Sequence, residues 1–152
     1  MPRGRYFEEF EVGAVYAHRP GRTISEADCT WFTLLTMNTH PIHFDAEYAK
    51  HTEFGKPLVP STLTLALLVG MSVQDTSQKA VANLGWKDIT LRKPVFAGDT
   101  LYAESTVLEV RPSESKPDRG VVRVRTDVYN QENKLVASFK RAVLVPRRVP
   151  ED

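Results

Sequence analysis

Apolar positions in the first third of the chain recur at the spacing of a helix. Between residues 27 and 35 they fall three and four positions apart, on one side of a helix. Ser25 precedes this segment and can cap its free N–H groups, and Asp28 suits the positive end of the helix dipole. The residue before a proline avoids helical angles, so the helix is predicted to end before Pro41. A second, short helix is predicted near residues 45–50.

The most apolar segment begins at Ser61, directly after Pro60, and reads STLTLALLVGMSV to about Val73. Apolar side chains occupy nearly all sides of this predicted helix, and a helix that is apolar all round is usually buried. Its longest apolar-rich stretch, residues 63–73, is too short to span a bilayer. We therefore expect a core helix.

From about residue 80 the pattern changes to that of strands. The β-rich or alternating segments are residues 89–91, 101–110, 121–129 and 135–145. Gly98–Asp99 and residues 131–133 are predicted turns, and the polar residues 111–120 are predicted to form a long exposed loop. Residues 3–23 are predicted to form short extended segments. The order of these predicted elements, an extended region, then helices, then four strands, predicts an α+β domain. In such a domain the antiparallel sheet needs a buried helix to cover one of its faces.

Length, composition and charge are those of one ordinary globular domain covering residues 1–152. A hydrophobic fraction of 41% and a charged fraction of 26% argue against disorder. The formal net charge of +1 gives no global attraction to nucleic acid or an anionic membrane, so neither is an expected partner. Cys29 is the only cysteine, which excludes an intrachain disulfide and fits a reducing compartment. The N-terminus has no apolar run of signal-peptide type, so a cytoplasmic location is expected.

Three segments together resemble the MaoC-like hydratase family. Residues 36–45, TMNTHPIHFD, are similar to the family signature Gly-Asp-x-Asn-Pro-x-His. Residues 54–64 are similar to the family's helix entry, and residues 91–101 to its strand-turn-strand segment. With the flanks included, the resemblance extends from about residue 6 to residue 147.

The resemblance implies a hot-dog fold, in which an antiparallel β-sheet is wrapped around a long central helix. It also implies reversible hydration of an enoyl-CoA thioester, bound near the interface of a homodimer or a dimer of dimers. Residues 4–10 and 20–23 are most similar to a subgroup that includes mesaconyl-CoA-type and related C5 acyl-CoA hydratases. No cofactor is expected, because coenzyme A is part of the substrate and the dinucleotide-binding and Walker patterns are absent.

Several positions of the signature depart from the family. The family's Gly is Met37 here, its Asp is Asn38 and its Asn is His40, while Pro41 and His43 keep their identities. At the helix entry the family usually has His-Gly, where this chain has proline and serine.

Hydration of a double bond conjugated to a thioester needs a base for water, a proton for the α-carbon and a donor to the thioester oxygen. In the family an Asp and a His hold the water, and a backbone N–H at a helix N-terminus serves the oxygen. By position these are Asn38, His43 and the N–H of Ser61. An amide is no base, so Asn38 is predicted to orient water and His43 to transfer the proton. His40 either orients His43, replaces the lost carboxylate or contacts substrate, and Asp45 either polarises a histidine or caps the following turn.

Substrate-binding residues are predicted in the second and third matched segments. Pro60, Ser61 and Thr62 form the helix entry, and Arg92 and Lys93 are placed to attract the phosphates of coenzyme A. The alternative for the two cations is a solvated charged face. A metal site built on the His-x-x-His-x-Asp pattern lacks an evident third strong ligand, so no metal is expected.

Two other functions stay open. A thioesterase would use the same N–H with a carboxylate to activate water, and Asp45 is the only carboxylate close in sequence to the histidines. A non-catalytic role, in acyl-CoA binding or as a structural subunit, is supported by Asn38 at the family's Asp position. His18 and His51 show no motif and are expected to be solvated, and Cys29 is expected to pack in the core.

Overall fold

The computed structural model describes residues 3–149, which contain five strands and three α-helices. In chain order they are β1 Val15–Thr23, α1 Glu26–Leu35, α2 Ala46–Lys50, α3 Ser61–Thr76, β2 Ala82–Leu91, β3 Thr100–Pro112, β4 Arg119–Tyr129 and β5 Leu135–Pro146. Short 3-10 turns cover Phe7–Glu9 and Pro41–His43. None of the helices in this range has the length and apolar content that a membrane span requires.

The five strands form one antiparallel sheet in the order β1-β3-β4-β5-β2. The strands predicted over residues 101–110, 121–129 and 135–145 are confirmed as β3 to β5. The strand predicted at residues 89–91 is only the end of β2, which begins at Ala82, and the N-terminal extended region supplies β1 as the fifth strand. Because β1 and β2 lie at the two edges, each presents one side that the sheet leaves unpaired.

The helix starts follow the predicted capping. The Ser25 hydroxyl accepts from the N–H of Asp28 at 3.1 Å, and the Asp28 carboxylate accepts from the N–H of Ser25 at 2.8 Å, which is a complete capping box. Helix α1 ends at Leu35, before Pro41, as predicted. At α2, the Asp45 carboxylate accepts from the N–H of Tyr48 at 2.9 Å. Asp45 therefore serves as the cap of α2.

The loop predicted over residues 111–120 is wrong in extent. Strand β3 continues to Pro112 and β4 begins at Arg119, so only residues 113–118 connect them. Pro112 is tolerated because β1 pairs with β3 only between Thr100 and Thr106. Val107 still bonds to the backbone of Gly13 and Ala14. The edge of β3 after Val107 has no strand partner within residues 3–149, so a missing N–H there costs no ladder hydrogen bond.

Helix α3 covers one face of the sheet and forms the main core. Its Leu63 and Leu68 pack in a cluster with Leu101 of β3, Val128 of β4 and Phe139 of β5. A second cluster lies under the N-terminal segment and contains Phe7, Phe10, Val107, Val122, Val124, Val143 and Val145. Cys29 is buried in the first cluster, as expected.

Helix α3 departs from the prediction in two ways. It continues to Thr76, three residues past the predicted end, and it is not buried on all sides. Exposed residues recur every fourth position along one stripe, at Thr62, Ala66, Gly70 and Gln74. Three of the four are small or apolar, so the sequence pattern does not distinguish this stripe from the buried sides.

The prediction that His18 is solvated is wrong, because its side chain is only 2% exposed. Its Nδ1 lies 2.8 Å from a carboxylate oxygen of Asp75, and its Nε2 lies 2.7 Å from the hydroxyl of Ser105. The Ser105 hydroxyl is hydrogen-bonded in turn to that of Thr126, and Asp75 also accepts from Arg5. Asp75 and Ser105 lie 57 and 87 residues from His18 in the chain, so local sequence patterns do not predict these contacts.

The surroundings of His18 keep it neutral. Burial lowers the pKa of His18 by more than the hydrogen bond and charge of Asp75 raise it, and Arg141 lowers it further. Burial would raise the pKa of Asp75, but the hydrogen bonds from His18 and Arg5, with their charges, bring it below its ordinary value. A neutral ring that donates from Nδ1 to Asp75 and accepts at Nε2 from Ser105 satisfies both nitrogens.

This network predicts an acid-sensitive stability. Below about pH 6.5, the ordinary value for histidine, the unfolded chain binds a proton that folded His18 resists, so the free energy of unfolding falls. A second loss follows below about pH 4, as Asp75 is protonated. His18→Gln is expected to flatten the first loss, by up to about 1.4 kcal/mol per pH unit. Urea unfolding of both proteins from pH 5 to 8 measures this, and equal slopes would contradict it.

Candidate active site

His43 ends the 3-10 turn Pro41–His43 and is held by a single well-placed hydrogen bond. Its Nδ1 lies 2.9 Å from the carbonyl oxygen of Leu58. A carbonyl can only accept, so Nδ1 carries the hydrogen. In the neutral ring this leaves Nε2 with a free lone pair. His43 is thereby oriented as a proton acceptor at Nε2.

The N-terminus of α3 is uncapped. Pro60 is the N-cap residue and has no side-chain acceptor, and its carbonyl accepts from Leu63 at 2.9 Å and Thr64 at 3.3 Å. Within residues 3–149, no acceptor meets the N–H groups of Ser61 and Thr62. Free N–H groups at a helix N-terminus carry partial positive charge and are suited to bind an anionic oxygen.

One cavity of about 350 Å³ brings these features together. Its polar lining comes from His43, Ser61, Thr64, Arg92 and Lys93. The apolar lining is Phe54, Leu58, Val59, Leu91, Pro94, Val95 and Val136. No Asp or Glu is among these lining residues, so the cavity combines one imidazole with positive charge only.

The predicted substrate-binding residues divide between this cavity and its surroundings. Ser61, Arg92 and Lys93 line it, whereas Pro60 and Thr62 do not. Pro60 is buried as the N-cap of α3, and the Thr62 side chain is exposed on the outer stripe of the helix. The helix start therefore reaches the cavity through Ser61 and through backbone N–H groups.

Asn38 is not among the residues that line the His43 cavity. It lines a separate depression with Thr30, Thr33, Leu34, Met37, Thr39 and Phe44. Its side-chain oxygen accepts from the N–H of His40 at 3.0 Å, which fixes the turn between α1 and the 3-10 turn. In this arrangement the structure does not bring Asn38 into the cavity that His43 lines.

His40 lies beside His43 without lining the cavity. The two ring centroids are 5.8 Å apart, edge to face, and the Tyr48 ring lies 6.1 Å from His40 on another side. The Nδ1 of His40 accepts from the N–H of Ile42 at 3.3 Å, so its Nε2 carries the hydrogen of the neutral ring. His40 is placed to support the position of His43, while Asp45 is committed to capping α2.

Sequence reasoning missed two parts of the cavity, of which only the second left a signal in the sequence. The carbonyl of Leu58 fixes the tautomer of His43 across 15 residues, and a backbone group leaves no mark in a sequence. Thr64 is one helical turn after Ser61, a spacing that places both on one side of α3 and was available as a signal.

Large apolar side chains are exposed on two elements of the chain. Leu84, Trp86, Ile89 and Leu91 are exposed on the edge strand β2, and Trp31, Leu34 and Leu35 are exposed on α1. When several large apolar side chains are exposed close together, they usually mark an interaction surface.

A long helix covered by a five-stranded antiparallel sheet, with a cavity at the helix N-terminus, defines a hot-dog-fold protein. A Mycobacterium tuberculosis protein described as a double hot-dog fold matches with a TM-score of 0.89 and 24% identity, over 98% of this chain and 46% of that one. A monoamine oxidase regulatory protein from Archaeoglobus matches with a TM-score of 0.86 and 34% identity, over 98% of this chain and 99% of the other.

The chain belongs to the mesaconyl-CoA hydratase family, whose profile matches residues 1–152. A mesaconyl-CoA hydratase from Cereibacter sphaeroides is 37% identical over 145 residues, covering 95% of this chain. The chain spans 42% of the length of that relative. The fold and family implied by the sequence resemblance are thus confirmed.

Proposed function

We propose that this chain catalyses the reversible hydration of a 2-enoyl-CoA thioester with a short branched or C5 dicarboxylic acyl group of the mesaconyl type. The observation that carries the proposal is that His43 and the uncapped N-terminus of α3 border the same cavity. The first supplies a proton acceptor, and the second supplies donors to an oxygen that gains charge. The acyl group is taken from the family and from the name of the Cereibacter relative.

The chemistry follows from these two groups. Water gives a proton to Nε2 of His43 as its oxygen bonds to the β-carbon, and the electrons of the double bond move to the thioester oxygen. The N–H of Ser61 donates to that oxygen while the charge is on it. The enolate carbonyl then re-forms as the α-carbon takes the proton back from Nε2. Because one nitrogen takes and returns the proton, hydrogen and hydroxyl add to the same face of the double bond.

The cations of the cavity suit a CoA ester. A volume of about 350 Å³ holds the acyl portion, and Arg92 and Lys93 extend positive charge along one wall. Phosphates of coenzyme A and a free carboxylate of a dicarboxylic acyl group are both recognised by such charges. The coenzyme is part of the substrate, and the proposed reaction uses no further cofactor.

Thioester hydrolysis is less well supported by the same cavity. Hydrolysis would require a carboxylate to activate water, and none of the residues lining the cavity is Asp or Glu. Asp45 is the cap of α2. Hydration needs only the imidazole and the N–H donor, both of which line the cavity.

We also propose that two copies of this chain pair through their β2 edges. The exposed apolar residues of β2 supply the surface, and an antiparallel edge pairing of identical strands gives a closed two-fold dimer. The chain matches 46% of the double hot-dog protein, so a second copy would stand where that protein has its other unit.

Sedimentation equilibrium tests the dimer. We expect twice the 17.2 kDa chain mass for the wild type and for Val12→Asp, and one chain mass for Ile89→Asp. Val12 is an exposed apolar residue outside the sheet edge, so it controls for the added charge. Dimeric Ile89→Asp would place the interface elsewhere.

An absorbance assay on a panel of thioesters tests the activity. Crotonyl-, mesaconyl- and itaconyl-CoA are followed both for loss of the conjugated enoyl band and for release of free thiol. We expect the band to disappear without thiol release, fastest for mesaconyl-CoA. Thiol release would indicate a thioesterase, and binding without either change would indicate a non-catalytic chain.

A further inference from the structure

Thr64 is the polar residue of the cavity that no motif assigns. Its side chain is 2% exposed and lines the cavity with His43 and Ser61. Hydroxyls further along α3, those of Ser72 and Thr76, donate to carbonyls of their own helix. Within residues 3–149 the Thr64 hydroxyl makes no such bond.

A buried hydroxyl without a partner is costly, by about 1 to 3 kcal/mol. In residues 3–149 the fully enclosed side-chain atoms that lack a partner are Arg141 Nε and Arg147 Nε. The Thr64 hydroxyl is not among these atoms although it has no hydrogen-bond partner, so it is not fully enclosed, and Thr64 is a lining residue of the cavity. The Thr64 hydroxyl is therefore available to form a hydrogen bond with a molecule bound in the cavity.

A water molecule that attacks a double bond needs one base, and its orientation is fixed when its second hydrogen also has an acceptor. His43 Nε2 can accept one hydrogen, and the family signature assigns the second contact to the position of Asn38. Asn38 lines a different depression and bonds to the N–H of His40. No carboxylate lines the cavity, so the remaining neutral acceptor in its polar lining is a hydroxyl of α3.

We propose that Thr64 is a positioning residue that holds the attacking water against His43, a role that rests on the proposed hydration. The water donates one hydrogen to Nε2 of His43 and the other to the Thr64 hydroxyl, so its lone pair points to the β-carbon. Only the first hydrogen leaves the water, and it passes to Nε2. The second stays on the oxygen and becomes part of the product hydroxyl. Thr64 thus exchanges no proton with the substrate.

Thr64→Val tests the role, because valine keeps the shape of threonine and loses the hydroxyl. We expect kcat for hydration to fall about 10- to 100-fold, as for a lost hydrogen bond to a reacting group, with KM within about 2-fold. Thr64→Ser is expected to recover most of kcat. Thr30→Val is the matched control, since Thr30 is an exposed helical threonine that does not line the His43 cavity, and it should behave as wild type.

Three outcomes overturn the proposal. Thr64→Val with wild-type kcat removes the role, and so does Thr64→Ser as slow as Thr64→Val at an unchanged melting temperature. A crystal structure of the wild type with no water between the Thr64 hydroxyl and His43 Nε2 does so independently of activity. A wild type that hydrates none of the thioesters, while that water is present, instead overturns the proposed function.

Discussion

His43→Ala is expected to lower kcat for hydration by about 100- to 10,000-fold, the usual contribution of a general acid–base group. The reason is that His43 is the imidazole of the cavity, with Nδ1 committed to the Leu58 carbonyl and Nε2 free. The other charged residues of the lining are Arg92 and Lys93, whose side chains are hydrogen-bond donors and offer no proton acceptor. Steady-state kinetics with the preferred thioester measures the loss.

His40→Ala is the matched control for that experiment. His40 is three residues away and contacts the His43 ring, but does not line the cavity. We therefore expect a smaller loss of kcat, from looser positioning of His43. A larger loss in His40→Ala than in His43→Ala, with both variants folded, would exchange the roles of the two histidines.

Ser61→Pro is expected to lower kcat by about 100- to 1,000-fold, the usual cost of removing one donor to an oxyanion. Proline lacks the N–H that we assign to the thioester oxygen. It is otherwise well suited to the first position of a helix. The preceding residue, Pro60, has φ −56° and ψ 131°, which a following proline permits. The substitution thus removes one hydrogen-bond donor with little change to α3.

Ser61→Ala separates the backbone from the side chain. Alanine keeps the N–H and loses the hydroxyl, so its kcat should stay close to that of the wild type. Helix content and melting temperature should match in all three proteins. Equal losses in Ser61→Pro and Ser61→Ala would show that the hydroxyl, and not the N–H, serves the reaction.

The local elements were predictable because their signals lie within a few residues. The capping box of Ser25 and Asp28 fixes the start of α1, and alternation identifies β3 to β5. The exceptions have physical reasons. Pro112 stays in β3 because its edge is free there, and small residues hide the exposed stripe of α3.

The candidate site was predictable only in part. The family resemblance gave His43 and Ser61, and the structure places both at one cavity. It also gave Asn38, which lies in another depression, and Thr62, which points outward. Motif alignment assigns positions, whereas the direction of a side chain depends on the turn that carries it. The catalytic roles themselves stay predictions for the variants above.

The sequence by itself determined the element types, the domain class and the family, since these depend on spacing along the chain. Only the tertiary structure decided which groups meet. His18 is buried against Asp75 and Ser105, and the Leu58 carbonyl leaves Nε2 of His43 free. Thr64 and His43 line the same cavity, although 21 positions separate them in the sequence. Such contacts join residues that are distant in sequence. The pairing of β1 with β3, the packing of α3 against the sheet and the fold of the loop before α3 create them.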